Sequence, residues 1–174
     1  MNFYRLLILA FFFLSGPIAK SMDPPKAKPE FTEANELLDR FHLAAAKARF
    51  ADYFSCFSED AIFLGTDAKE RWNVTEFKQF AKPYFDKGKG WNYEKKDRHI
   101  LVSRDGNHAS FDEILNHIPG DGKAENGYGT CRGSGVLRKV EGKWKIEQYH
   151  LTIPIPNELA KEIVQSIRIK KANQ

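Results

Sequence analysis

Glu113 is the residue whose setting most directly promises chemistry. It lies in a run, His108 to Ile118, in which Ala109, Phe111, Glu113, Leu115 and His117 alternate with Ser110, Asp112, Ile114 and Asn116. A period of two marks a half-buried strand. The aromatic ring and Leu115 choose the inner side, which turns Glu113 inward with them. A carboxylate there must be hydrogen-bonded, paired with a cation, or protonated at a raised pKa. Two roles are open to it: an acid/base group in a pocket, or half of a core lock with an arginine. A second run, Lys143 to Ile153, alternates Trp144, Ile146, Gln148 and His150 with Lys145, Glu147, Tyr149 and Leu151. Trp144 and Ile146 choose its inner face and bring Gln148 and His150 with them, and polar groups on an inner face line a cavity. His42 sits on the flank of an apolar helix stripe beside Leu38, Ala45 and Arg49, where an imidazole has either a site role or a structural one.

These residues need elements to hold them. Ala34, Leu37, Leu38, Phe41, Ala44, Ala45 and Ala48 recur at three- and four-residue steps, which predicts a helix from about Thr32, with a bend near Arg49 before Tyr53, Phe54 and Phe57. A short strand, Ala61 to Leu64, ends at Gly65. The polar loop Gly65 to Trp72 then offers Asp67, Arg71 and Trp72 as ligand-binding residues, since loops on a rigid scaffold often carry function. The capping pattern Asn73-Val74-Thr75-Glu76 opens a helix over Glu76 to Asp86. Strands over Trp91 to Arg104 and His108 to Ile118 flank Asp105-Gly106-Asn107, strong turn chemistry. The last hairpin turns at Glu141-Gly142, and a two-residue loop sets Lys139 opposite Trp144 and Leu137 opposite Ile146. On that register Cys131, Gly133 and Gly135 face inward, while Arg132, Ser134 and Val136 lie outward with Tyr149 and Leu151. A loop one residue longer swaps the faces and makes Arg132 a pocket residue. The closing helix, Asn157 to about Lys170, has Leu159, Ile163 and Ile167 as its docking stripe.

Composition bounds the rest. The chain has 174 residues, 42% hydrophobic and 29% charged, enough for one domain with one good core. Arg5, the apolar stretch Leu6 to Leu14 and Ala19-Lys20-Ser21 read as a cleavable secretory signal over residues 1–21. Its apolar stretch is far shorter than the roughly 20 residues a spanning helix needs. The expected organisation is therefore a leader over 1–21, a linker over 22–31, the folded domain over 32–170 and a tail over 171–174, in a periplasmic or secreted protein. Losing Arg5 and Lys20 lowers the formal charge from +4 to +2, which argues against nucleic acid, or a membrane once the leader is gone, as partners. In an oxidising compartment Cys56 and Cys131 are free thiols or a disulfide. No metal-ligand spacing, nucleotide loop or nucleophile motif is present, so no cofactor and no metal is expected.

A set of short stretches resembles one family. They are Phe41-His42 with Ala44-Ala45-Ala46, Phe63-Leu64-Gly65-Thr66-Asp67 with Glu70-Arg71-Trp72, Gly88 with Gly90-Trp91, and Phe111-Asp112-Glu113. Arg132 to Leu137 and Trp144-Lys145-Ile146, running on to Pro154 and Pro156-Asn157, complete the set. Over about residues 33 to 160 the chain is similar to SnoaL-like members of the nuclear transport factor 2-like superfamily. The resemblance implies an α+β fold in which a cone-shaped, curved antiparallel sheet wraps an N-terminal helix around a cavity. It implies homodimers through the outer sheet, and either a small-molecule pocket or an acid/base enzyme of the isomerase, dehydratase or hydrolase type. In the enzyme reading Glu113 is the base, His42 or His150 shares the proton, and Arg71 or Gln148 holds a developing oxyanion. In the binding reading Trp72, Trp144, Gln148 and His150 line a site for a small, largely apolar ligand. A third reading is a dimerising interaction module whose pocket is vestigial.

Overall fold

The computed structural model describes residues 29–172. The expected leader, most of the expected linker and the last two residues of the expected tail lie outside them. Helix α1, Pro29–Ala46, buries Ala34, Leu37, Leu38, Phe41, Ala44 and Ala45 on one side, the stripe its three- and four-residue spacing predicts. The helix breaks where Ala48 takes a left-handed φ of 49°. The chain restarts as α2, Phe50–Ser55, with Arg49 at its N-cap and Tyr53 and Phe54 buried.

There follow β1 (Phe57–Leu64), β2 (Arg71–Asn73), α3 (Val74–Phe85), β3 (Tyr93–Val102), β4 (His108–His117), β5 (Thr130–Val140), β6 (Lys143–Thr152) and α4 (Asn157–Ala172). The strands form one sheet in the order β2-β1-β6-β5-β4-β3. Its two edges stay apart, and its inner face curves over α1. The sheet is the expected curved antiparallel one, with a single parallel pairing, β1 with β6. β2 folds back on one side of β1, which leaves the other side to a strand running the same way. The predicted capping box is present, with Asn73 and Glu76 exchanging side-chain and backbone hydrogen bonds at 3.0 Å each.

The β5–β6 hairpin decides which residues face the interior. Glu141 and Gly142 both have positive φ, 51° and 76°, the two-residue turn whose twist suits antiparallel strands. Lys139 pairs with Trp144 and Leu137 with Ile146, as expected. The next pair is Val136 with Gln148, so Glu147 is one extra residue on β6, a β-bulge. Beyond it the alternation changes phase. Tyr149 is buried, Leu151 points inward beside it, Gln148 is exposed and His150 lies on the outer side. The inward placement of Gln148 and His150, and the outward placement of Tyr149 and Leu151, are therefore corrected. Strand β5 keeps its predicted faces, with Cys131, Gly133 and Leu137 buried and Arg132 exposed. Both cysteines are free and buried.

The expected docking of α4 is also corrected. None of its residues is buried, and Leu159 and Ile167 are 45% and 47% exposed. Pro154 and Pro156 hold the connection extended and lack backbone N–H groups, so the chain leaves the sheet without folding back on it.

Gly135 marks how closely β5 and β6 approach at the bulge. A Cβ built there would sit 1.9 Å from the carbonyl oxygen of Gln148, a backbone atom held by the sheet. Gly135→Ala is expected to lower stability by about 3 kcal/mol, the upper part of the range for overpacking, measured as a drop in the urea midpoint with unchanged slope. A midpoint equal to the parent's shows that the hairpin has room the structure lacks.

Candidate functional site

Between α1, α2 and α3 on one side and β1 and β6 on the other lies a cavity of about 150 Å³. Its walls are mostly aromatic, and on the side built by Phe63, Trp72, Phe77, Trp91 and Tyr149 neighbouring rings lie nearly parallel. Trp72 on Phe77 and Phe63 on Tyr149 are both tilted by 10°, and Phe77 on Trp91 by 18°. Offset stacking of this kind is favourable beyond the area it buries. The loop Gly65–Glu70 aims one wall. Gly65 N–H donates to the Glu70 carbonyl at 2.8 Å, and Asp67 N–H donates to Glu70 Oε2 at 3.1 Å. This tight turn sends β2 back along β1 and lays Trp72 on Phe80, ring centres 4.5 Å apart.

The polar end of the cavity is built on Glu113, which has no solvent exposure. Its Oε1 accepts from His42 Nε2 at 2.6 Å and from the Tyr149 hydroxyl at 2.9 Å, and its Oε2 accepts from Arg98 Nε at 2.8 Å. Arg98, 3% exposed, reaches on with Nη1 to Asp39 Oδ1 at 2.7 Å and Asn35 Oδ1 at 2.9 Å. Lys95 closes on the same Asp39 oxygen at 2.7 Å. The charges thus alternate from the core to the surface. Arg98 Nη2 is buried with no partner among the described residues. Gly133 makes room for the carboxylate's neighbours, since a Cβ there would lie 2.2 Å from the Tyr149 hydroxyl. The inward glycine of β5 serves this buried network.

Burial by itself would push the Glu113 carboxyl up, but hydrogen bonds and charge from His42 and Arg98 outweigh it and hold the group below its ordinary value. Asp39 is likewise lowered, Lys95 and Arg98 overcoming the effect of its partial burial. An ionised Glu113 only accepts hydrogen bonds, so the proton between it and His42 is carried on Nε2. Tyr149 is pushed far up by burial and then by the Glu113 charge, so its hydroxyl stays a donor. Burial also raises Tyr53 and Tyr93. Of the four tyrosines lining the cavity, only Tyr149 has its hydroxyl bonded to another described residue.

Glu113, His42 and Trp72 come together, though not as equals. His42 and Trp72 line the cavity, while Glu113 stands one layer behind, touching it through His42 and Tyr149. The other candidates lie elsewhere. Asp67 is exposed in its turn, where Oδ1 accepts from Lys69 N–H at 2.9 Å. Arg71 is exposed on β2, and Arg132 is exposed on the outer side of β5. Trp144 is core, 4% exposed, with the Lys139 ammonium 5.1 Å from its ring centre. Gln148 and His150 are carried outward by the bulge. The sequence reading missed Tyr53, Tyr93, Tyr128 and Tyr149 as lining residues, and it left the arginine opposite Glu113 unnamed. Among the described residues, no three His, Cys, Asp or Glu side chains converge as a metal site.

Comparison with known proteins places this geometry. A protein of unknown function with an NTF2-like fold from Pseudomonas putida is 14% identical, with a TM-score of 0.61 over 73% of this chain and 88% of that one. A protein of unknown function with a cystatin-like fold from Nostoc punctiforme is 19% identical, with a TM-score of 0.57 over 71% and 90%. A candidate ketosteroid isomerase from Shewanella frigidimarina is 17% identical, with a TM-score of 0.57 over 71% and 97%. At such identities these likenesses concern the fold. No curated protein matches the chain. The model of the SnoaL-like domain matches residues 34–156, from the first buried alanine of α1 to the proline before α4 and so across every element that builds the cavity: the chain belongs to the SnoaL-like domain family, and its fold is similar to that of nuclear transport factor 2-like proteins.

Proposed function

We propose that the cavity binds a small, flat, largely apolar molecule carrying a hydrogen-bond-accepting oxygen, in a protein exported to the periplasm or the medium. The observation that carries this reading is the pair of tyrosines, Tyr53 and Tyr93, in a mostly aromatic wall. Each is kept protonated by burial, and neither hydroxyl is bonded to a described residue. A ligand acceptor seated between them would give each hydroxyl a partner inside the cavity. The near-parallel rings suit a flat partner. The family membership supports a pocket without naming its occupant. Pairing of two copies through the outer sheet face, which the resemblance implies, belongs to the same proposal and is checked by light scattering at twice the chain mass.

A second reading, an acid/base enzyme, is favoured by one contact. His42 lies at the cavity wall with Glu113 against its far nitrogen at 2.6 Å. A carboxylate placed there fixes the ring and stabilises the imidazolium formed when Nδ1 takes a proton. Glu113 is then a positioning residue, and His42 is the group that meets the substrate. Tyr53 and Tyr93 could stabilise an oxygen that gains charge.

Acetophenone is expected to raise the thermal midpoint by about 3 °C at tenfold its dissociation constant. Isopropylbenzene, of similar shape but without an acceptor, is expected to do less, and Tyr53→Phe to remove the difference. Equal shifts from both compounds in the parent rule out the acceptor.

Glu113→Gln is expected to destabilise the protein at neutral pH by an amount that shrinks in acid. A depressed carboxyl adds stability in full above the unfolded glutamate value of 4.5 and loses it as pH falls through the folded value. Urea midpoints of parent and variant across pH 3–7 check this, and a gap that does not change with pH refutes it. If the chain is an enzyme, His42→Gln lowers turnover by about 10²–10⁴-fold with the fold intact. Export is checked by the N-terminus of the protein recovered outside the cytoplasm, expected close after Ser21. An intact Met1 there contradicts a cleaved leader.

A further inference from the structure

α4 stands outside the domain described so far. It follows the matched residues 34–156 and buries none of its own. A helix of 16 residues is marginal in water when nothing packs on it, so its apolar side needs a cover. At 100° per residue, Leu159, Ala160, Ile163, Val164 and Ile167 share one side of α4. Leu159, Val164 and Ile167 are each more than two-fifths exposed.

The charges sort around that stripe. Lys170 and Lys171 fall within its arc at the C-terminal end, and Arg168 falls just beyond one margin. Lys161 and Glu162 lie equally far beyond its two margins, and Glu158 points to the opposite side. With four cations and two acids, α4 has a formal charge of +2. That equals the whole charge expected of the chain after the leader, so residues 22–156 are neutral together. The low average that argued against a membrane partner conceals one basic helix with an apolar stripe, Ile169 alone among its large apolar residues lying on the other side.

A second copy of α4 fits this pattern poorly. Parallel pairing sets Lys170 and Lys171 against their counterparts. Antiparallel pairing sets them against the partly positive first turn of the other helix, and the glutamates face away in both cases. A flat anionic surface fits all of it. The stripe enters the interfacial layer, the lysine stems lie along it with their ammonium groups at the phosphates, and the acids stay in water. No described helix is long and apolar enough to cross a membrane, so the contact lies at the surface. We infer that α4 is a peripheral docking element for anionic lipid, independent of the cavity.

Flotation of the full chain with vesicles tests this, using phosphatidylcholine alone or with phosphatidylglycerol at about one lipid in three. Residues 1–28 are common to every variant, so differences between variants report α4. The parent is expected to bind the anionic vesicles and to lose most of that binding in high salt. Arg168→Glu with Lys170→Glu and Lys171→Glu is expected to weaken it by about a hundredfold, given roughly 1 kcal/mol for each basic residue near the surface. Ile163→Glu with Ile167→Glu is expected to weaken it comparably, with the circular dichroism of the sheet domain unchanged. Variants that float like the parent overturn the proposal, because the membrane contact then lies elsewhere in the chain. So does a parent that ignores both vesicles, and if the isoleucine pair then halves the mass in solution, the cover is a second copy.

Discussion

One buried carboxylate organises this molecule. An ionised glutamate with no access to water is tolerable only when its oxygens are met by strong donors. Glu113 obtains them from three separate elements: His42 from α1, Arg98 from β3 and Tyr149 from β6. The partners lower its pKa against the opposing effect of burial, which shows which side of the balance wins. Breaking such a set by removing one member leaves a charge stranded, at about 3–5 kcal/mol. The same contacts that hold α1 against the sheet therefore also fix the orientation of the imidazole at the cavity wall. Structural lock and candidate site are one object, so the two roles open to Glu113 do not exclude each other.

The aromatic wall and the polar end divide the work of recognition. Stacked rings hold their positions through one another and present faces that accept many flat molecules. In the proposed binding role, the tyrosine hydroxyls and His42 would set direction through hydrogen bonds that the rings cannot make. Since the fold is shared by proteins of many kinds, what distinguishes this chain lies in those few polar atoms.

Much of this could be read before any coordinates. The Asp105-Gly106-Asn107 turn pairs Val102 with Ala109, and counting back along that register brings Arg98 opposite Glu113. The arginine opposite Glu113 was thus legible in the turn and the strand register. The inward side of β4, the stripe of α1 and the two-residue turn of the last hairpin followed from period and turn chemistry alone. The bulge at Glu147 did not. In Lys-Ile-Glu-Gln-Tyr-His strict alternation parts Ile146 from Tyr149 while one extra residue turns both inward, and the run allows either because a tyrosine is at home on an outer sheet face. One residue of slip then exchanged His150 for Tyr149 in the wall. Tyr53 and Tyr93 were hidden differently: an apolar stripe accounts for a tyrosine ring without saying where its hydroxyl goes.

Cys56 and Cys131 give the architecture a property that bears on its redox setting. Both thiols are free and shielded, and burial raises the pKa of each, so little thiolate is available for exchange. No covalent crosslink between them supports the sheet or the cavity. The native state is then the same molecule under reducing and oxidising conditions, and reaching it requires neither an oxidant nor a catalyst of thiol exchange.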